Sequence, residues 1–200
     1  MKAALRLGPA DHGRPLSYEE FQAADYVEGY HYEIIDGKLY VSAMPNPPQG
    51  MVEKWLLRKL DRYSEEHPDV INFVHNKTAV FLPERREVTA PEPDIAAYRD
   101  FPVDAEPEDI RWQEATPILV VEVVSPDDPN KDYERNRDLY LEVPSIREYW
   151  ILDPRGHARQ PSMRVHRRHG RRWRIRDLNG GELYTTSLLP GLELRLDIRT

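Results

Sequence analysis

Cysteine is absent from this 200-residue chain, which excludes disulfides, thiolate-zinc sites and cysteine nucleophiles. No run approaches the roughly eighteen consecutive apolar residues that a membrane-spanning helix needs. Met1 to Gly13 carries neither the apolar core nor the small-residue cleavage site of a secretory signal, and a soluble, cytoplasmic protein without a membrane partner is expected. There is no phosphate-binding glycine loop, dinucleotide fingerprint or Gly-x-Ser-x-Gly nucleophile turn. His75, His157 and His169 are scattered without metal-ligand spacing. Among enzyme classes this leaves metal-assisted ones. Without repeats or low-complexity tracts, the length suits a single domain over residues 16–200 after a loose lead over 1–15.

The net charge of -7 argues against general adhesion to nucleic acid, but charge is segregated along the chain. Between Arg155 and Arg176 stand nine arginines and no acidic residue, which leaves a balance of -16 elsewhere.

Ser17 with Glu20 makes a capping-box pattern for a short helix to about Ala24. Tyr32 to Ile35, Asp36-Gly37 and Lys38 to Val41 read as a hairpin with a two-residue turn, which sets Ile34 opposite Leu39 and Tyr32 opposite Val41. Glu33 then lies on the other face, across from Tyr40. Helical spacing of Val52, Trp55, Leu56, Leu60 and Tyr63 predicts a helix from about Gly50 to Glu66. Strands are expected at Val70–His75, Thr78–Leu82 and Asp94–Tyr98, followed by a mobile acidic loop from Arg99 to Trp112. Asp128-Pro129 opens a helix to about Glu142, and Glu148 to Leu152 returns as a strand. A second hairpin, Met163–Arg167 with Arg171–Asp177, is expected to turn through Arg168-His169-Gly170, opposing Val165 to Trp173 and Met163 to Ile175. Short strands near Leu183–Thr185 and Leu192–Leu196 complete an α/β (α+β) pattern.

Glu122 sits inside the apolar run Ile118 to Val124. A buried carboxylate must find a partner or a metal, or else protonate. Glu122 falls near the carboxyl end of its strand, where α/β sheets place ligands, and Asp94 opens another strand behind Pro93. Paired across adjacent strands, the two would form an oxygen-rich site suited to Mg²⁺ or Mn²⁺, which can activate water for phosphodiester hydrolysis. The alternative is structural: Asp94 caps a strand end and Glu122 pairs with an arginine.

At these residues the chain resembles a family. Glu33 in Tyr-Glu-Ile-Ile-Asp-Gly, Pro93-Asp94, Val121 to Pro126, Asp132, and Glu148 to Pro154 are similar to motifs of the Uma-two family of restriction-endonuclease-like proteins, within the PD-(D/E)XK nuclease superfamily. The resemblance implies a central mixed sheet flanked by helices, with additional hairpins, a divalent metal, and cleavage of DNA. By it, Asp94, Glu122 and the carbonyl of Val123 would be metal ligands and Glu33 an acidic helper. The superfamily's lysine position, two residues after Glu122, holds Val124. The place to which the family commonly relocates that lysine, four residues after Asp132, holds Asn136, and an amide supplies no positive charge. Lys131, Arg135 and Arg137 are nearby cations that reach this direction only if the helix rotates. Gln49 stands where the family tends to carry a histidine.

The second hairpin offers a basic face of Arg164, His166, Arg172, Arg174 and Arg176, suited to nucleic-acid phosphates. Its alternative is a solvated outer pair of strands whose arginines meet the acidic 99–112 loop. Two further readings stand beside the metal-dependent endonuclease: a catalytically impaired nuclease fold that binds nucleic acid or protein, and a structural subunit of an oligomer, a dimer favoured, in which acidic body and basic hairpin complement one another.

Overall fold

The computed structural model describes residues 5–126 and 128–200. At the amino end β1 (Arg6–Leu7) pairs in parallel with β2 (Asp25–Tyr26), with α1 (Tyr18–Ala23) between them. Ser17 and Glu20 form the reciprocal cap at the start of α1, each side chain bonded to the other's N–H. The segment before Leu16 packs from Leu5 onward, with Leu7 fully buried and the Gly13 N–H donating to the Leu39 carbonyl. Met1–Ala4 lies outside the described residues.

The hairpin of β3 (Tyr30–Ile35) and β4 (Lys38–Ala43) has the register the sequence predicts. Asp36 and Gly37 both adopt positive φ, the requirement of a type I′ turn. The next helix, α2 (Pro47–Glu66), starts before Gly50. Asn46 caps it by accepting the Gln49 N–H at 3.1 Å, and Pro47 and Pro48 fit a first turn that needs no N–H donors.

The central sheet contains β5 (Phe73–Asn76), β6 (Ile95–Tyr98), β7 (Leu119–Val123), β8 (Glu148–Asp153), β9 (Ser162–His169) and β10 (Arg172–Leu178), in the order β10-β9-β8-β7-β6-β5. Within this sheet only β7 and β8 pair in parallel, joined by a helical crossover that ends in α3 (Arg137–Leu141). The strand expected from Val70 begins at Phe73, because the Val70 and Ile71 amides close a turn onto the His67 carbonyl. Thr78–Leu82, also expected as a strand, joins no sheet; Val80 and Leu82 bond to the carbonyls of Pro91 and Thr89. Pro83, Pro91 and Pro93 deny this stretch and its neighbour a continuous ladder. The acidic loop is anchored: the Asn72 side chain bonds both the N–H and the carbonyl of Phe101, and Trp112 packs against Phe73, Tyr98 and Phe101.

One sheet face buries Ile95, Leu119, Val121, Trp150 and Val165 under α2 and the carboxyl-terminal segment, where β11 (Leu183–Tyr184) pairs with β12 (Leu194–Arg195). The other face packs Ala96, Val120, Tyr149 and Ile151 against Leu139 and Tyr140 of α3. Beneath the first face the buried carboxylate of Glu148 accepts from Trp150, Arg167, Tyr184 and Thr186, all within 2.9 Å. Four donors satisfy a charge that could not otherwise be buried.

The β9–β10 register corrects the predicted loop. Arg172 opposes His169 and Val165 opposes Arg176, leaving the two-residue turn Gly170-Arg171. Gly170 has φ +64° and Arg171 no positive φ, the sign pattern of a type II′ turn. The basic face is therefore divided: Arg164 and His166 share one side with Trp173 and Asp177, while Arg172, Arg174 and Arg176 project from the other. Arg164 is bound to Asp177 at 2.6 Å.

Candidate active site

Register brings the two acidic strands together. Ile95 opposes Val121 and Ala96 opposes Val120; continuing by one residue sets Asp94 opposite Glu122, on the same face. Asp94 closes the ladder with its side chain, its Oδ2 accepting the Val123 N–H at 2.7 Å, while Oδ1 lies 3.4 Å from Lys77 Nζ. Glu122 is 1% exposed and accepts the Asn136 amide at 2.7 Å and the Tyr140 hydroxyl at 2.8 Å, both on Oε1. The Val123 carbonyl receives Gln49 Nε2 at 3.2 Å. Glu33 crosses from the β3–β4 hairpin: Oε1 accepts the Glu92 N–H at 2.9 Å and Oε2 meets Arg135 at 2.8 Å. The Arg135 guanidinium also lies over Tyr40, the cross-strand neighbour of Glu33.

Glu33, Gln49, Asp94, Val123 and Arg135 border a cleft of about 290 Å³ between the hairpin, the start of α2 and the crossover, lined also by His31, Lys131 and Asp132, while Glu122 and Asn136 are buried behind its wall. Asp128 accepts the Lys131 N–H and starts the crossover as the sequence predicts, but the backbone then widens into a π turn over Lys131–Asn136. Around an α-helix, residues five apart diverge by about 140°; i→i+5 bonding stacks them. Lys131 and Asn136 therefore both face the site, with Lys131 Nζ 3.7 Å from Asp132 Oδ1.

Carboxylates outnumber cations here. Burial pushes Glu122 well above the usual carboxylate range, and Asp132, Asp94 and Glu33 add to this against the pull of Lys131. Burial likewise raises Asp132 and Glu92, each to about 7. Burial also works against charge on Glu33 and Lys131, but both stay ionised: Lys131 and Arg135 hold Glu33 low, while Glu122, Glu33, Asp132 and Asp94 hold Lys131 high.

The family profile Uma2, described as "Putative restriction endonuclease", matches residues 18–198. The chain belongs to the Uma2 family. A crystal structure of "a putative nuclease belonging to DUF820" from Anabaena variabilis ATCC 29413 shares the fold, with a TM-score of 0.66 over 92% of this chain and 96% of that one at 17% identity. No curated protein matches the sequence.

In this Uma2 chain the oxygens fit a hard divalent cation. Among the described residues both hydrogen bonds to Glu122 fall on Oε1, the Val123 carbonyl keeps a second lone pair, and the excess negative charge disfavours the ion-free, fully ionised site. Among the described residues no three acidic or histidine side chains converge as a ready-made cage. A cation would rest on two carboxylates, a carbonyl and water, as magnesium commonly does. Sequence reasoning brought Glu33, Asp94, Glu122, Val123, Gln49 and Asn136 to one place. It overlooked Lys77 and His31, although His31 stands two residues before Glu33 on one strand, a spacing that shares a face.

Proposed function

We propose that this chain is a divalent-metal-dependent endonuclease that hydrolyses DNA phosphodiester bonds in the cleft beside β7. The observation that carries the reading is the pairing of Asp94 with Glu122 through register and the Val123 N–H, beside a lysine held charged. Asp94, Glu122 and the Val123 carbonyl would hold Mg²⁺ or Mn²⁺, which supplies Lewis acidity and lowers the pKa of water. Asn136 and Tyr140 fix the Glu122 carboxylate, and Gln49 fixes the Val123 carbonyl. Lys131 supplies the positive charge toward a phosphoryl group that position 136 lacks. Glu33, kept ionised by Lys131 and Arg135, is an acceptor that orients a water.

Supercoiled plasmid with Mn²⁺ or Mg²⁺ tests this. The wild type is expected to nick or linearise it, and Asp94→Asn and Glu122→Gln are not. Absence of cutting by a folded wild type that still binds DNA would identify a nuclease-fold binding module instead.

A further inference from the structure

On the side of α2 away from the sheet lies a groove of about 500 Å³, bounded by the carboxyl-terminal segment and floored by Trp55. Its rim carries Lys54, Arg58, Lys59, Arg62 and Arg199. Lys54, Arg58 and Arg62 are exposed and four residues apart, which makes a row of cations spaced about 6 Å and spanning about 12 Å. Arg199 is bound to Asp197, but the four α2 cations form no ion pair or side-chain hydrogen bond among the described residues. Several arginines elsewhere are tied down, as Arg85 is to Asp36 and Glu142, and Arg167 to Glu148. Arg172 and Arg174 on β10 are exposed without an ion pair among the described residues, but they line no groove with a helical row of cations.

Like charges at i,i+4 destabilise a helix, and an acidic chain has carboxylates enough to relieve them. Glu53 instead pairs across to Lys77, on the cleft side. The row thus has no structural return within the chain, and its linear, repeating charge matches a linear polyanion better than a single phosphate. Among the described residues the one aromatic ring lining the groove, Trp55, is buried in its floor and offers no open face for base stacking.

We propose that this groove is a second contact surface for duplex DNA, bound through its phosphodiester backbone without sequence preference and outside the cleft. The choice of DNA rests on the proposed function; the cationic groove does not.

The test is fluorescence anisotropy of a labelled duplex with the full chain carrying Asp94→Asn, in EDTA, between 50 and 200 mM salt. Arg58→Gln with Arg62→Gln should weaken binding at least tenfold at low salt and reduce the salt slope by roughly 1.8, about 0.9 per cation. Arg172→Gln with Arg174→Gln makes the same charge change on β10 and should weaken binding less. Equal losses for both pairs would reduce the effect to net charge and overturn the inference. So would unchanged binding by the α2 pair in a protein of normal melting temperature, or binding of anionic vesicles without the duplex. If the wild type cuts no plasmid but the α2 pair still weakens duplex binding, the catalytic reading fails and the groove stands.

Discussion

At the residue scale the proposed chemistry divides most sharply between Lys131 and Asn136. If Lys131 supplies the charge, Lys131→Ala should lower metal-dependent cleavage on the order of 10²–10³-fold, the loss typical of removing a transition-state donor. Asn136→Lys should change the wild type little yet restore cleavage to Lys131→Ala; no rescue in a folded double variant would remove Lys131 from this role. Glu122→Gln keeps an acceptor for Asn136 and Tyr140 while deleting a charge that burial disfavours. In EDTA at neutral pH its melting temperature should exceed that of the wild type, and a lower one would contradict the electrostatic account. His166, buried between Tyr149 and Trp173, is pushed down to about 4 by burial and by the charges of Arg164 and Arg137. Between the ordinary histidine value of about 6.5 and that folded value the unfolded chain binds more protons, so stability falls as pH falls through this window. Urea titrations of His166→Phe across pH 4–7 should show a shallower acid decline than the wild type.

Elements were legible wherever one residue type serves one backbone geometry. Asp36-Gly37 dictates the β3–β4 turn and thereby the placement of Glu33, and the caps at Ser17 and Asp128 fix two helix starts. The β9–β10 register was not legible: arginines occupy both faces, so a shift by an odd number of residues, here the three that bring Arg176 rather than Trp173 opposite Val165, leaves little apolar pattern to violate. The π turn escaped because side-chain periodicity encodes α spacing, and Lys131 at α spacing points away from Asn136. Glu148, read in the sequence as a strand start and part of a family motif, proves to be a structural centre. Glu148→Ala strands the Trp150 and Tyr184 donors and should cost on the order of 3–5 kcal/mol in denaturant unfolding. A loss within experimental error of zero would mean those donors find other partners.

At the scale of the whole molecule, a mixed sheet, a separate amino-terminal hairpin and a crossover helix converge on one cleft, and no helix among the described residues is long and apolar enough to cross a membrane. An ion that binds only the folded cleft must stabilise the entire fold. At about a hundredfold excess over its Kd the gain is roughly 2.7 kcal/mol, a rise of roughly 5–10 °C for a chain of this length. Mn²⁺ should raise the melting temperature by that amount, and Asp94→Asn should abolish the rise. The most direct measurement is anomalous diffraction from a crystal soaked in Mn²⁺. A single strong peak among Asp94, Glu122 and the Val123 carbonyl is predicted; a well-ordered cleft without manganese, its carboxylates still occupied by Lys77 and Asn136, would contradict the account.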